Sequence, residues 1–278
     1  MAHFLRYGAA AHTSLLRANP QHTFAHTFAI LMYDSGAVYS MIPKNGCTTL
    51  RLSIACANGV ISDLADWEWI HQNNDSFRPS FKDLALASYR FTVLRCPYGR
   101  LVSCFLDKIV RRTADASQFV NASKSAGSLG QFTFRGFCAE IAKPQVRRAN
   151  MHWRPQTDFL VYSDYDDYFC FEDFSRIAPR LRARIGMPLV DARPLARHDS
   201  SQFKTVHASH SFADVPLLQL EAMLLNGFYP QPKRFYDDGL AALVADIYAD
   251  DFTLYRKRCP GMGMFDAQAA GADWMAAV

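Results

Sequence analysis

Short apolar segments followed by longer stretches of helical spacing recur along the first half of the chain. Residues 37–42 (AVYSMI) are rich in β-forming side chains, and the apolar residues of 48–57 have helical spacing. The same order returns in 89–94 (YRFTVL) and 98–112. Strands that alternate with helices predict an α/β fold, with a mostly parallel sheet and helices on both faces.

The second half of the chain continues with candidate strands and helices. The candidate strands are 159–162 and 167–171, and the predicted helices are 174–185, 217–226 and 237–254. The helix over 174–185 is basic and amphipathic.

Residues 113–131 contain few large apolar side chains and predict a surface excursion. We find no internal repeat and no shift in composition that would divide the sequence. Half of the 278 residues are hydrophobic, which is enough for a sizeable core. We therefore expect a single domain over residues 1–278.

Net charge argues for a small anionic ligand rather than a nucleic acid. The formal net charge is +4, from 30 Lys and Arg against 26 Asp and Glu. A nucleic-acid binder usually presents a denser basic face, so we expect no nucleic-acid partner. The N-terminus lacks the pattern of a signal peptide, and no apolar run approaches the roughly 18 residues of a membrane span. We expect a cytoplasmic protein with no membrane span.

The sequence contains no convincing metal-binding pattern. The seven cysteines never form C-x-x-C. His198, His207 and His210 lie in a polar stretch that is typical of surface histidines. We expect no metal.

The loop after the strand 37–42 has the features of an anion-binding loop. It reads PKNGCTTL over residues 43–50. Gly46 allows a tight backbone turn, and the N–H groups at the start of the next helix can point at an anion. Thr48 and Thr49 add hydroxyl donors. Ligands of open α/β sheets bind beyond the carboxyl ends of strands, so this P-loop-like segment is a candidate phosphate site.

The segment differs from the loop of nucleoside triphosphatases, because Lys44 precedes Gly46 by two residues instead of following a second glycine. The order Pro-Lys-x-Gly-x-Thr resembles the 5′-phosphosulfate loop of the sulfotransferases. There the lysine contacts the bridging oxygen of the leaving group, and the resemblance implies that catalytic role for Lys44. The implied donor is 3′-phosphoadenylyl sulfate, and the residues implied to bind it here are Pro43, Lys44, Asn45, Gly46, Cys47, Thr48 and Thr49.

A second segment carries the resemblance further. Sulfotransferases hold the 3′-phosphate with an arginine at the end of a strand and a serine eight residues later, and Arg95 and Ser103 have this spacing. A guanidinium fork matches phosphate oxygens, and a hydroxyl on the following helix adds a donor. Cys96 and Gly99 stand where the family usually has aspartate and glutamate.

Further motifs resemble the carbohydrate sulfotransferases of family 2, which modify chondroitin and dermatan. They are RLVSCFLDK over 100–108, HWRPQ over 152–156, DYDDY over 164–168 and IYADDFTLY over 247–255. The resemblance implies transfer of a sulfuryl group to a hydroxyl of a carbohydrate or glycan acceptor.

The HWRPQ segment supplies candidates for catalysis and acceptor binding. Histidine suits a general base because its ordinary pKa of about 6.5 is close to working pH, so His152 is the candidate base. Trp153 and Arg154 offer an aromatic face and a fork donor for the acceptor. A structural role for the same motif stays open.

Two other functions stay open from the residues. One is a P-loop kinase-like phosphotransferase that uses ATP, which should show a Walker lysine and an acidic magnesium ligand, and neither is in register. The other is a catalytically inactive nucleotide- or glycan-binding module, against which the combination of Lys44, Arg95 and Ser103 argues.

Overall fold

The computed structural model describes residues 4–8, 15–124, 129–195, 203–207 and 209–266. The chain divides into two compact units. The sheet unit is drawn from residues within 1–94 and 156–197, and the helical unit is drawn from residues within 95–155 and 198–276. Each unit combines segments that are distant in sequence, and the single domain expected over residues 1–278 stays a prediction.

A four-stranded sheet forms the centre of the sheet unit. Its strands are β1 (Ala29–Met32), β2 (Ala37–Ser40), β3 (Arg90–Leu94) and β4 (Asp167–Cys170), which lie in the order β1-β2-β3-β4. β1 is antiparallel to β2, whereas β2 with β3 and β3 with β4 are parallel. The predicted α/β fold with a mostly parallel sheet is confirmed.

The helical unit contains a two-stranded parallel sheet of β5 (Lys204–Val206) and β6 (Phe228–Pro230). In chain order the α-helices of the described residues are α1 (Pro20–Thr27), α2 (Cys47–Ala57), α3 (Phe81–Leu86), α4 (Pro97–Cys104), α5 (Ala114–Ser123), α6 (Phe134–Ile141), α7 (Pro144–Arg148), α8 (Ile177–Ile185), α9 (Leu217–Leu225), α10 (Asp238–Ile247) and α11 (Ala249–Arg258). Among the described residues, no helix has the length and apolarity to cross a membrane.

Local chemistry sets where several helices begin. The Asn19 side chain accepts hydrogen bonds from the first turn of α1, and Ser80 and Asp83 form a reciprocal capping box on α3. The side chains of Thr133 and Asp237 each accept one hydrogen bond from the first turn of α6 and α10, respectively. These short polar side chains satisfy backbone N–H groups that have no partner inside the helix.

Aromatic side chains fill the core of the helical unit. Its fully buried members include Phe105, Phe119, Phe134, Phe137 and Trp153. The rings of Phe119 and Trp153 meet edge to face, with centroids 5.9 Å apart.

Most predicted elements are present, with changes at their ends. The long helix expected over 98–112 is α4 followed by a π-helical segment, Phe105–Val110. The helix expected over 237–254 is two helices, α10 and α11. The surface excursion expected over 113–131 contains α5, and its residues 125–128 lie outside the described residues.

One strand was missed in the sequence, and one strand assignment was wrong. β1 was missed because a four-residue apolar run does not distinguish a strand from a helix. Residues 159–162 are not a strand, although all four are buried. They follow a 3-10 turn over Gln156–Phe159 and form a single antiparallel bridge between Tyr162 and Leu5.

Tyr165 supplies the hydrogen bonds that a neighbouring strand would otherwise supply to this segment. Its hydroxyl accepts from the backbone N–H of Val161 at 2.9 Å and of Tyr162 at 3.3 Å. It also lies 2.6 Å from the Ser40 hydroxyl at the end of β2. A buried segment needs such partners, and here Tyr165 provides acceptors for two N–H groups, while the backbone of Arg6 donates to the Val161 oxygen at 2.9 Å.

We predict that Tyr165→Phe lowers the free energy of unfolding by about 2 kcal/mol, because buried N–H groups lose their acceptor. Tyr168→Phe is the matched control, since its hydroxyl donates to the exposed Asp164. It should change stability by no more than about 0.5 kcal/mol. Urea unfolding of both variants measures the difference, and equal losses would contradict the assigned role of Tyr165.

Candidate active site

The loop between β2 and α2 has an uncommon backbone conformation. Lys44 has φ +72° and Gly46 has φ +74°, both in the left-handed region. Glycine adopts this region freely, whereas for lysine it costs about 1–3 kcal/mol, so the surrounding structure must hold Lys44 there. A strained residue inside an anion-binding loop is typical of a functional site.

Asn45 holds the loop in this conformation. Its side chain is fully buried, and Nδ2 donates to the backbone oxygen of Val93 at 2.8 Å and to Oε1 of Gln156 at 2.7 Å. Val93 belongs to β3, so one amide ties the loop to the neighbouring strand. Lys44 is thereby confined between a buried proline, Pro43, and a buried anchor.

The N-terminus of α2 is arranged to accept a negative charge. Gly46 is the N-cap and has no side chain to cap the helix, and the first turn contains no acidic residue. Cys47, Thr48 and Thr49 form this turn and are all partly exposed. Helix N-termini carry a partial positive charge and N–H groups without intrahelical acceptors, so this turn suits a phosphate or sulfate group.

Two aromatic rings pack close to Gly46 in this loop. A Cβ atom at Gly46 would lie 2.5 Å from Cε2 of Phe174 and 3.4 Å from Cε2 of Phe171. Gly46 is therefore needed for both its backbone conformation and the space that it leaves.

In the helical unit, Arg95 precedes α4, which begins at Pro97. Gly99 is buried, and a Cβ atom there would lie 3.8 Å from Nε of Arg95. The Arg95 side chain therefore lies beside the first turn of α4. Ser103 lies in the last turn of the same helix and is half-buried.

Arg100 fixes the turn that contains the other predicted site residues. It is almost fully buried, and Nη1 donates to the backbone oxygen of Arg154 at 2.8 Å. Nη2 donates to the backbone oxygen of Met151 at 3.4 Å. The turn 151–154 is therefore held by α4.

His152 lies in this turn, with 14% of its side chain exposed. Its Nε2 lies 3.8 Å from Oδ1 of Asp115 on α5. Asn150 Nδ2 donates to the same carboxylate oxygen at 2.6 Å, and Asn150 Oδ1 accepts from the backbone N–H of His152 at 2.8 Å. A carboxylate at this distance stabilises the protonated imidazole, which a base forms when it takes a proton.

A model of the sulfotransferase family matches residues 30–257, which is most of the chain. The chain belongs to the sulfotransferase family, of the family 2 type. Comparison with curated proteins returned no match, and comparison with solved structures returned none either. Sulfuryl transfer is therefore the general activity of this family member.

The sulfotransferase places its predicted site residues in two groups. Pro43 to Thr49 lie together in the sheet unit, whereas Arg95, Ser103 and the turn with His152 belong to the helical unit.

Trp153 has a different place from the one predicted. It is fully buried, its Nε1 donates to the backbone oxygen of Val146 at 2.8 Å, and its backbone oxygen accepts from the Tyr248 hydroxyl. Its indole has no exposed face for an acceptor, so its role in this structure is packing. Arg154 is half-buried and keeps its predicted role as a proposal.

Three residues that contact the candidate site residues or their turn had no role in the prediction: Gln156, Arg100 and Arg51. Gln156 and Arg100 lie inside motifs that the sequence singled out, but their contacts are with backbone and amide groups far along the chain. Arg51 follows the loop on α2 and is 8% exposed. The sequence signal for Arg51 was a charged residue between two leucines of a predicted helix.

We predict that Gly46→Ala destabilises the sulfotransferase by at least about 1 kcal/mol more than Gly59→Ala, because only the first adds a clash to the backbone strain. Gly59 has φ +73° beside the other end of α2, and nothing lies within 4 Å of a Cβ there. Thermal unfolding of both variants measures the difference. Equal destabilisation would show that Phe174 does not restrict the loop.

Proposed function

We propose that this sulfotransferase moves a sulfuryl group from 3′-phosphoadenylyl sulfate to a hydroxyl of a carbohydrate acceptor. The observation that carries the proposal is Lys44, held at φ +72° two residues before the N-cap of a helix whose first turn has no capping side chain and no acidic residue. Such a site provides fixed positive charge where negative charge grows during transfer.

We assign the 5′-phosphosulfate of the donor to residues 43–49 and the 3′-phosphate to Arg95 and Ser103. The donor supplies an activated sulfuryl group, and the rest of the chemistry falls on the protein. Lys44 stabilises the charge that develops on the leaving phosphate oxygen. The backbone N–H groups at the start of α2 hold the anion in place, so attacking and leaving oxygens can stay in line. These residues require no metal for this role.

His152 is our candidate for the general base. The acceptor oxygen bonds to sulfur, the sulfur–oxygen bond to the leaving phosphate breaks, and the hydroxyl proton passes to the imidazole. Asp115, 3.8 Å from Nε2, stabilises the imidazolium that results. Two carboxylates, Glu140 and Asp164, are reserve candidates for the base, but Glu140 forms an ion pair with Lys143 at 2.9 Å and Asp164 accepts from the Tyr168 hydroxyl at 3.0 Å.

The acceptor class rests on the resemblance of the motifs to carbohydrate sulfotransferases. The burial of Trp153 removes one predicted acceptor contact, which leaves Arg154 as the candidate for acceptor binding. We propose no nucleic-acid partner and a cytoplasmic location.

We predict that adenosine 3′,5′-bisphosphate raises the melting temperature selectively, whereas ATP and NAD do not. A ligand at a hundred times its Kd adds about 2.7 kcal/mol of stability, which a thermal-shift measurement detects.

Lys44→Ala should nearly abolish turnover and retain bisphosphate binding, because Lys44 acts on charge formed in the transition state.

Lys82→Ala is the matched control, because Lys82 is an exposed lysine of the same unit. It should leave turnover unchanged. A shift with ATP and none with the bisphosphate would replace the proposed activity with a phosphotransferase activity. Equal losses of binding and turnover in Lys44→Ala would reduce Lys44 to a binding residue.

We predict that His152→Gln lowers kcat by about 10² to 10⁴-fold with little change in donor affinity, because glutamine keeps hydrogen bonding but cannot take the proton. The wild-type rate should rise with pH through the ordinary range of a histidine pKa, and the variant should lose this rise. His207→Gln, at an exposed histidine of the same unit, is the control. A folded His152→Gln protein with near wild-type turnover would exclude His152 as the base, and Glu140 or Asp164 would be tested next.

A further inference from the structure

Arg51 is a buried cation one helical turn below the anion-binding loop. It lies on α2 and is only 8% exposed. Its Nη2 donates to the backbone oxygen of Ile70, and its guanidinium also hydrogen-bonds to the side chain of Cys47. Cys47 is the first residue of α2, so the contact places the charge of Arg51 close to the N-terminus of the helix.

No carboxylate neutralises this charge among the described residues around it. The neighbouring ionisable groups are Cys47 and Tyr39. Tyr39 is fully buried, and burial raises its pKa well above the ordinary value, so its hydroxyl stays neutral. The Nε atom of Arg51 is buried and makes no hydrogen bond within the described part of the chain.

Arg90 in the same unit has the opposite arrangement. Its side chain is 12% exposed, and Nε and Nη2 donate to the two oxygens of Asp166 at 3.0 and 3.1 Å. The sheet unit therefore pairs one of its largely buried arginines with a carboxylate and leaves Arg51 without one.

A buried charge without a counter-ion is unfavourable, because the protein interior solvates it less well than water does. Burial accordingly lowers the pKa of Arg51 from its ordinary value. An anion that binds at the nearby helix N-terminus offsets this cost, because two opposite charges attract strongly where water is excluded. The unpaired arginine and the anion-binding turn thus favour each other.

We propose that Arg51 is a donor-binding residue that acts through its fixed positive charge, increasing affinity for the 5′-phosphosulfate group without being one of the loop residues that contact it. The inference rests on the proposed function and extends it by one residue of the same site. In this proposal, α2 supplies positive potential both from the backbone of its N-terminus and from the Arg51 side chain.

The test compares two nucleotides that differ only at the 5′ position. We expect Arg51→Gln to weaken binding of adenosine 3′,5′-bisphosphate by about tenfold or more, because a charge is lost and a donor for the Ile70 oxygen is kept. Binding of adenosine 3′-monophosphate should change less than about twofold, because it has no 5′ anion. Arg51→Lys keeps the charge and should restore most of the bisphosphate affinity. Calorimetric titration measures the affinity of Arg51→Gln for each nucleotide and the affinity of Arg51→Lys for the bisphosphate.

Arg90→Met is the matched control, and its bisphosphate affinity should stay within about twofold of wild type because its charge serves Asp166. Thermal unfolding without ligand confirms that each variant is folded, and Arg51→Met replaces Arg51→Gln if the latter is unfolded. Equal losses for both nucleotides, or no loss, would overturn the proposal for Arg51. Absence of bisphosphate binding by the wild-type protein would overturn the proposed function instead.

Discussion

The buried amide of Asn45 is the contact on which the candidate site depends. Through 2.7 and 2.8 Å hydrogen bonds it joins the loop after β2 to β3 and to Gln156. Lys44 has its left-handed backbone conformation next to this anchor. At Gly46, the adjacent ring of Phe174 leaves no room for a Cβ atom. The position of Lys44 is therefore set by packing beneath the loop as much as by the loop itself.

In the sheet unit, positive charge lies near the N-terminus of α2, where we propose that an anion binds. α2 begins without an acidic residue or a capping side chain, and in the part of the chain that the structure describes no carboxylate pairs with Arg51 one turn below. Such an arrangement lowers the stability of the ligand-free protein and increases its affinity for an anion. Arg90, paired with Asp166 on the same sheet, shows that the unit neutralises a buried cation elsewhere.

The turn 151–154 shows that a motif shared with a family can combine structural and chemical roles. Trp153 is a core residue of the helical unit, and Arg100 holds the turn through backbone oxygens. His152 projects from this rigid turn toward Asp115, and rigidity is what a positioned base requires. The structural reading of the motif thus holds for Trp153, while the catalytic reading is concentrated on His152.

The sequence by itself determined the two strand–loop–helix segments of the first half of the chain, the place of the loop with Lys44 and Gly46, and the family, because these depend on local spacing of apolar residues, glycine and lysine. It did not determine β1, the irregular segment 159–162 or the burial of Trp153, since each depends on pairing or packing that the spacing of apolar residues does not specify. Tyr165 is close to Val161 in sequence, but its hydroxyl meets Ser40 of β2 only in the folded sheet unit. The same holds for Asn45 and Arg51, whose roles come from Val93, Gln156 and Ile70, and local spacing carries no information about such contacts.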